Sequence, residues 1–166
     1  MSESEALPAD ARARVITVSD RSHGGLRHDS SGPLLADLLR GLGFSEAEVV
    51  VVPDEVPEIE AALRAAISDG VDLVATTGGT GFAPRDVTPE ATRRVLEREA
   101  PGLAEALRQH NRDKVPTTIL SRAVAGISAQ TILVNLPGSN SGVKDGVEVL
   151  APVIGHAIVQ LRGGDH

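Results

Sequence analysis

The chain has 166 residues, the size of one ordinary domain able to bury its own core. Sixteen Lys and Arg stand against 23 Asp and Glu, a net charge of −7. That argues against a nucleic-acid-binding surface, and with two Phe and no Trp or Tyr the stacking platforms for single strands are missing too. The absence of Cys excludes disulfides, thiolate metal sites and Cys nucleophiles. No apolar run approaches the ~20 residues of a spanning helix. The first dozen residues are acidic and small, unlike a signal peptide. The expectation is a cytoplasmic protein with no membrane contact: a disordered leader over 1–12, one domain over 13–162 and a loose tail over 163–166.

Arg14 to Val18 reads as a buried strand. A polar, glycine-rich loop runs from Ser19 to Gly32. Pro33 suits the first turn of a helix, which carries Leu34, Leu35, Leu38, Leu39 and Leu42 on one face and ends at Gly43. Val49 to Val52 is a second strand, closed by Pro53, Asp54 and Glu55. A helix follows with Val56, Ile59, Leu63 and Ile67 at helical spacing. Leu73 to Thr76 is a third strand and runs into the loop Thr77 to Asp86. Thr88 can cap the next helix, with Pro89 at its first position, and that helix reaches about Glu99. Pro101 to His110 is a further short helix, and Lys114 to Ser128 is ambiguous. Thr131 to Leu136 is a strong strand, followed by the turn Pro137 to Gly142. The last helix carries Val147, Leu150, Ile154, Ile158 and Leu161, and Pro152 should kink or restart it.

Strands alternating with helices imply an α/β fold: a doubly wound, mostly parallel sheet with helices on both faces, in a single domain. Ligands of such sheets bind beyond the carboxyl ends of the strands. Four loops leave strand ends, Ser19–Gly32, Pro53–Glu55, Thr77–Asp86 and Pro137–Gly142, so all four should share one rim.

The run Thr77-Gly-Gly-Thr-Gly81 is the sharpest feature. Gly78, Gly79 and Gly81 let backbone N–H groups approach an anion, and Thr77 and Thr80 add hydroxyl donors. A strand-to-helix turn needs fewer glycines than this, which favours anion binding. It is neither a Walker loop nor a G-x-G-x-x-G fingerprint. Asp86, which closes the loop, could merely favour the dipole of the next helix, and Asp54 could be an ordinary turn residue. Together on one rim they suggest Mg²⁺-assisted phosphoryl or nucleotidyl transfer. The turn Pro137, Gly138, Ser139 opens a helix N-terminus and is a second anion candidate. Arg21, Arg85, Arg122 and Lys144 are candidate cationic partners, though each could be a solvated surface charge. His23 and His28 lack metal-ligand spacing. His110, His156 and His166 read as surface or tail residues. No Gly-x-Ser-x-Gly elbow supports a hydrolase.

Several segments occur in an order that resembles a known family. They are Val18-Ser-Asp-Arg21, Asp29-Ser-Ser-Gly32, Val52-Pro-Asp-Glu55, Thr77 to Glu90, Leu120-Ser-Arg-Ala123 and Asn135-Leu-Pro-Gly138. Together they resemble the Mog/MoaB family of molybdenum cofactor biosynthesis, from about Arg14 to Leu161. The resemblance implies a molybdopterin adenylyltransferase that moves AMP from Mg-ATP to the terminal phosphate of molybdopterin and releases pyrophosphate. Carried over by motif, Asp54 and Asp86 match the family's catalytic aspartates, with a Mg²⁺ contact implied there. Ser19, Asp20, the loop Thr77 to Gly81, and Pro137, Gly138 and Ser139 match its ligand-contacting segments. A homotrimer and contact with the downstream molybdenum-insertion protein are also implied. Asn140 stands where the family often has Pro. A non-catalytic pterin-binding or scaffold paralogue is the alternative reading, and a nucleotide-binding module of the competence-damage type is a third.

Overall fold

The computed structural model describes residues 5–164. The ends of the expected leader and tail, 1–4 and 165–166, lie outside the described residues, and His166 with them. Among the described residues, six strands and seven helices follow one another. They are β1 (Arg12–Val18), α1 (Asp20–His23), α2 (Ser31–Leu42), β2 (Glu46–Val52), α3 (Val56–Ser68), β3 (Leu73–Thr77), α4 (Thr88–Val95), β4 (Arg98–Glu99), α5 (Pro101–Gln109), β5 (Ala125–Ser128), β6 (Thr131–Leu136), α6 (Asn140–Leu150) and α7 (Ile154–Leu161). A 3₁₀ turn covers Pro116–Leu120.

The strands form one sheet in the order β2-β1-β3-β6-β5-β4. The first four run parallel, and the β6–β5 and β5–β4 pairs are antiparallel. Each central strand is apolar on both faces, as burial under two helix layers requires. Val15, Ala75 and Val134 face a layer holding α2, α6 and α7; Ile16, Val74 and Leu133 face α3 and α4. The fold is therefore the doubly wound α/β domain expected from the alternation.

Register sets the site. Val18 pairs with Val52, Thr17 with Thr77, and Thr77 with Leu136, so four strands end level and their loops leave from one rim. Helix α2 follows β1 on one face and α4 follows β3 on the other. The point where the winding reverses lies between these two strands, where ligands of open sheets bind.

One local expectation is corrected, one open segment is resolved, and the expected restart at Pro152 is met. Helix α4 stops at Val95 rather than near Glu99, because the chain turns into the edge strand β4. There Glu97 N donates to Ile127 O and Ala100 N to Ala125 O, bonds that a helix would forgo. The ambiguous segment holds the 3₁₀ turn and β5. The last helix is two helices, and Pro152 falls in the turn between them. At the leading end, Leu7 packs on the core and Ala11 is fully buried. Arg162 of the last turn reaches back to Asp10 and Asp72.

Candidate functional site

The glycine turn after β3 is held from three sides. Gly78 has φ +100° and Gly79 φ +72°, in the left-handed region that glycine enters without strain. A Cβ on Gly78 would stand 2.4 Å from the Val18 carbonyl oxygen, and one on Gly138 3.3 Å from the Gly78 Cα. Backbones from β1, β3 and β6 therefore meet where side chains cannot fit. Thr77, fully inside the sheet, bonds through its hydroxyl to Pro137 O at 2.9 Å and to the Ser31 hydroxyl at 3.0 Å. Thr88 does not cap α4, whose cap position is Val87 with no side-chain bond. Its buried hydroxyl donates instead to Gly78 O at 2.9 Å, and its N–H donates to Gly79 O at 3.1 Å. Gly78 N is used by Leu136 O. The N–H groups of Gly79, Thr80 and Gly81 have no partner among the described residues.

Both predicted carboxylates lie against this turn. A Cβ on Gly79 would come 3.4 Å from Asp54 Oδ1, and one on Gly81 2.9 Å from Asp86 Oδ2. Asp54 and Asp20 are tied reciprocally: Asp20 N donates to Asp54 Oδ2 at 2.8 Å and Asp54 N to Asp20 Oδ1 at 2.9 Å. Burial pushes the Asp54 carboxyl above the ordinary carboxylate range, and the negative charges of Asp20 and Asp86 add to the rise. Asp20 moves the other way, because Arg85 donates to it from Nε at 2.6 Å. Asp86 Oδ2 accepts Ala83 N at 3.0 Å and so also shapes its own loop.

Two of the candidate cations are committed to the protein. Arg85 spans Asp20 and Glu55. Arg122 donates to Gly81 O at 2.8 Å and Asp86 O at 2.6 Å and pairs with Glu90. It binds the segment before β5 to the glycine loop. Arg21 and Lys144 are exposed. His156 is half exposed beside Glu5.

The rim carries two hollows. A polar one of about 130 Å³ lies against Ser19, Ser22, Arg27, Asp29, Thr77 and Gly78. Asp29 is fixed there by Thr17 Oγ1 and Gly32 N. A larger, mainly apolar crevice of about 360 Å³ runs from Thr80, Gly81 and Phe82 to Pro137 and Ser139 at the start of α6. Ser139 caps that helix by accepting Gly142 N at 3.0 Å. Gly78 and Gly138, touching, line the polar hollow at its boundary with the crevice. The structure thus gathers all four expected loops on one rim but divides the space between them.

Sequence reasoning missed much of the crevice wall. Leu107, Val115, Leu120 and Ala123 belong to α5 and the ambiguous segment. His110, expected as a surface residue, lines the crevice together with Asp145. Asp145, Glu148 and His110 bring donor atoms within 4.8 Å of one another. No periodicity signals such a meeting, since His110 ends α5 and the two acids lie on α6.

This geometry defines a class: a doubly wound α/β protein with a glycine turn whose backbone N–H groups are unpaired among the described residues, flanked by two carboxylates and beside an apolar crevice. Residues 14–156 match the family described as "Probable molybdopterin binding domain". The molybdopterin adenylyltransferase of Escherichia coli strain K12 is 39% identical over 151 residues, covering 89% of this chain and 77% of that protein. A molybdenum cofactor biosynthesis bifunctional protein of Chlorobaculum tepidum is 36% identical over 99% of this chain, which spans only 53% of that longer protein. The structure of the molybdopterin biosynthesis Mog protein from Mycobacterium ulcerans superposes with a TM-score of 0.87 at 46% identity, covering 93% of this chain and 98% of that one. The chain belongs to the Mog/MoaB family of molybdenum cofactor biosynthesis.

Proposed function

We propose that the protein is a molybdopterin adenylyltransferase, moving AMP from Mg-ATP to the terminal phosphate of molybdopterin. One observation carries this reading: Asp54 and Asp86 flank a single glycine turn whose N–H groups at Gly79, Thr80 and Gly81 are unpaired. The relative of the same printed activity supports it. In this reaction a terminal phosphate oxygen of the pterin attacks the α-phosphorus of ATP. The bond from that phosphorus to the α,β-bridging oxygen breaks, and pyrophosphate leaves with the electron pair.

The turn supplies donors to the phosphates without lysine or arginine, in a close-packed geometry that costs no reorganisation during the transfer. Ser139, at the start of α6, adds a helix N-terminus for a second phosphate. The residues fit a hard cation. Asp54 and Asp86 offer oxygen ligands beside one turn, and burial, with the lesser push of the Asp20 and Asp86 charges, raises the pKa of Asp54. Mg²⁺ is commonly held by one or two carboxylates together with substrate phosphates, and it supplies charge neutralisation there. Ser19, Asp20, Thr77, Gly78, Pro137 and Gly138 frame the same space.

The test is incubation with molybdopterin, ATP and Mg²⁺, following the adenylylated pterin. Replacing Asp86 by Ala should lower kcat about 10²-fold or more with little change in pterin affinity. A near wild-type rate in that variant refutes the role of Asp86, whereas a wild type that forms no adenylylated pterin favours a non-catalytic pterin-binding protein.

A further inference from the structure

The crevice has one charged feature that the transfer itself does not use. Of the groups lining it, Asp145 is the sole carboxylate, and no Lys or Arg lines it. Asp145 sits one helical turn beyond Ser141 on α6, about 6 Å further along the axis. Gly142 and Gly146 leave the helix face between them without side chains.

The carboxylate is held in place. Asn111 Nδ2 donates to Asp145 Oδ1 at 2.7 Å, and His110 Nε2 stands 3.9 Å away, itself bonded to Glu148 at 2.8 Å. Asn111 adopts φ +57°, a conformation open to asparagine more than to most residues. A carboxylate accepts about four hydrogen bonds. One is taken here, so the outer oxygen and its neighbouring lone pair remain for a ligand. The fully buried Asn135 of the crevice is spent: it accepts Val124 N and donates to Thr76 and Thr92.

A flat heterocycle between apolar walls such as Phe82, Leu107 and Leu120 would meet one acceptor-only group. The matching ligand edge presents two adjacent donors. A 2-amino-4-oxopteridine has that edge in its ring N–H and exocyclic amine. A 2,4-dioxopteridine does not, because an acceptor oxygen replaces the amine.

We infer that Asp145 is the specificity residue that reads the 2-amino-4-oxo edge of a pterin in this crevice, with Asn111 as its positioning residue. The inference rests on the pterin reading of the site and names the group that recognises the ring. Charged hydrogen bonds of this kind change affinity by about 10- to 100-fold.

The experiment uses wild type, Asp145→Asn, and Glu105→Gln as a control on an exposed position of α5 that does not line the crevice. Pterin and lumazine are titrated calorimetrically, and adenylylation kinetics are run with molybdopterin. Wild type should prefer pterin over lumazine. Asp145→Asn presents one acceptor and one donor, so it should lose pterin affinity about 10- to 100-fold and turn the preference toward lumazine. Its KM for molybdopterin should rise by a similar factor with kcat nearly unchanged, and Glu105→Gln should match wild type. If wild type adenylylates molybdopterin while Asp145→Asn keeps the same preference and KM, the inference is overturned and the transfer reading stands. If wild type transfers nothing yet shows the Asp145-dependent preference, the transfer reading fails and the recognition stands. Binding of neither heterocycle overturns the inference.

Discussion

Alanine at Gly79 should be far costlier than its size suggests, and the cost divides into parts. At φ +72° an L-residue loses about 1–2 kcal/mol, offset by roughly 0.5 kcal/mol from a stiffer unfolded chain. The new Cβ would also lie 2.2 Å from Thr88 Oγ1. That hydroxyl must turn away and give up its 2.9 Å bond to Gly78 O. Leaving a buried polar group unpaired costs about 1–3 kcal/mol. The sum is about 2–4 kcal/mol. Gly70 is the control, because its φ is +74° and nothing lies within 4 Å of its virtual Cβ. Gly70→Ala should therefore show the backbone part alone, about 1 kcal/mol. Urea denaturation of both variants measures the difference. Thr88→Ala removes the obstructing oxygen, so Gly79→Ala with Thr88→Ala should cost clearly less than the two single changes added. Equal destabilisation at positions 70 and 79, or strict additivity with Thr88, would refute the proposed fastening of the turn.

Asp54→Asn should hold or raise thermal stability at neutral pH while lowering adenylylation about 10²-fold. The folded pKa of Asp54 is raised, so the native state binds the extra proton and loses stability as pH climbs past the ordinary carboxylate range; asparagine removes that loss, and a variant less stable at pH 7 than at pH 4 relative to wild type would contradict it. Asp20 has the opposite sign: Arg85 lowers its pKa, giving stability that is present above the unfolded value and lost as pH falls through the folded one. Arg85→Ala should thus move the acid-unfolding midpoint, followed by circular dichroism, to higher pH; an unmoved midpoint rejects the pair as a stabiliser. We also propose a homotrimer, in keeping with exposed Leu26, Ile119 and Leu120. Light scattering should give three times the 17.2 kDa chain mass, and a monomer at micromolar concentration rejects it.

The parts of the fold legible beforehand are those whose signal is local. Val15, Ile16 and Val18, or Leu133 and Val134, are buried on both sides and so form unbroken β-branched or aliphatic runs. Helices α3, α4 and α5 each begin with a proline in the first two positions, which marks their starts. The acids at 54 and 86 stand next to strand-end loops, so rim placement follows from strand polarity. What escaped was decided by distant partners. Arg98 and Glu99 are exposed and look helical by composition, but their backbone is claimed by Gly126 and Ile127. Thr88 looks like a cap until the Gly78 carbonyl, ten residues back, takes its hydroxyl. Thr118 and Ser121 have no period of their own and take their places from Arg108.

Under the proposed transfer, an acidic chain handles two polyanionic substrates and must find positive potential somewhere. Arg85 and Arg122 do not supply it freely, since the first already answers Asp20 and Glu55 and the second serves Gly81, Asp86 and Glu90. The crevice adds no Lys or Arg. Under the proposed transfer, anion binding therefore falls to backbone N–H groups, a helix start and the cation that arrives with ATP. Backbone donors act only if the backbone is held still. That requirement explains why Thr88 and Gly138 both meet Gly78 while Thr77 fastens Pro137 beside it. It also sets an order of sensitivity. Substitutions that loosen the turn, Arg122→Ala among them, should reduce turnover more than removal of Arg85, whose charge is spent on Asp20 and Glu55.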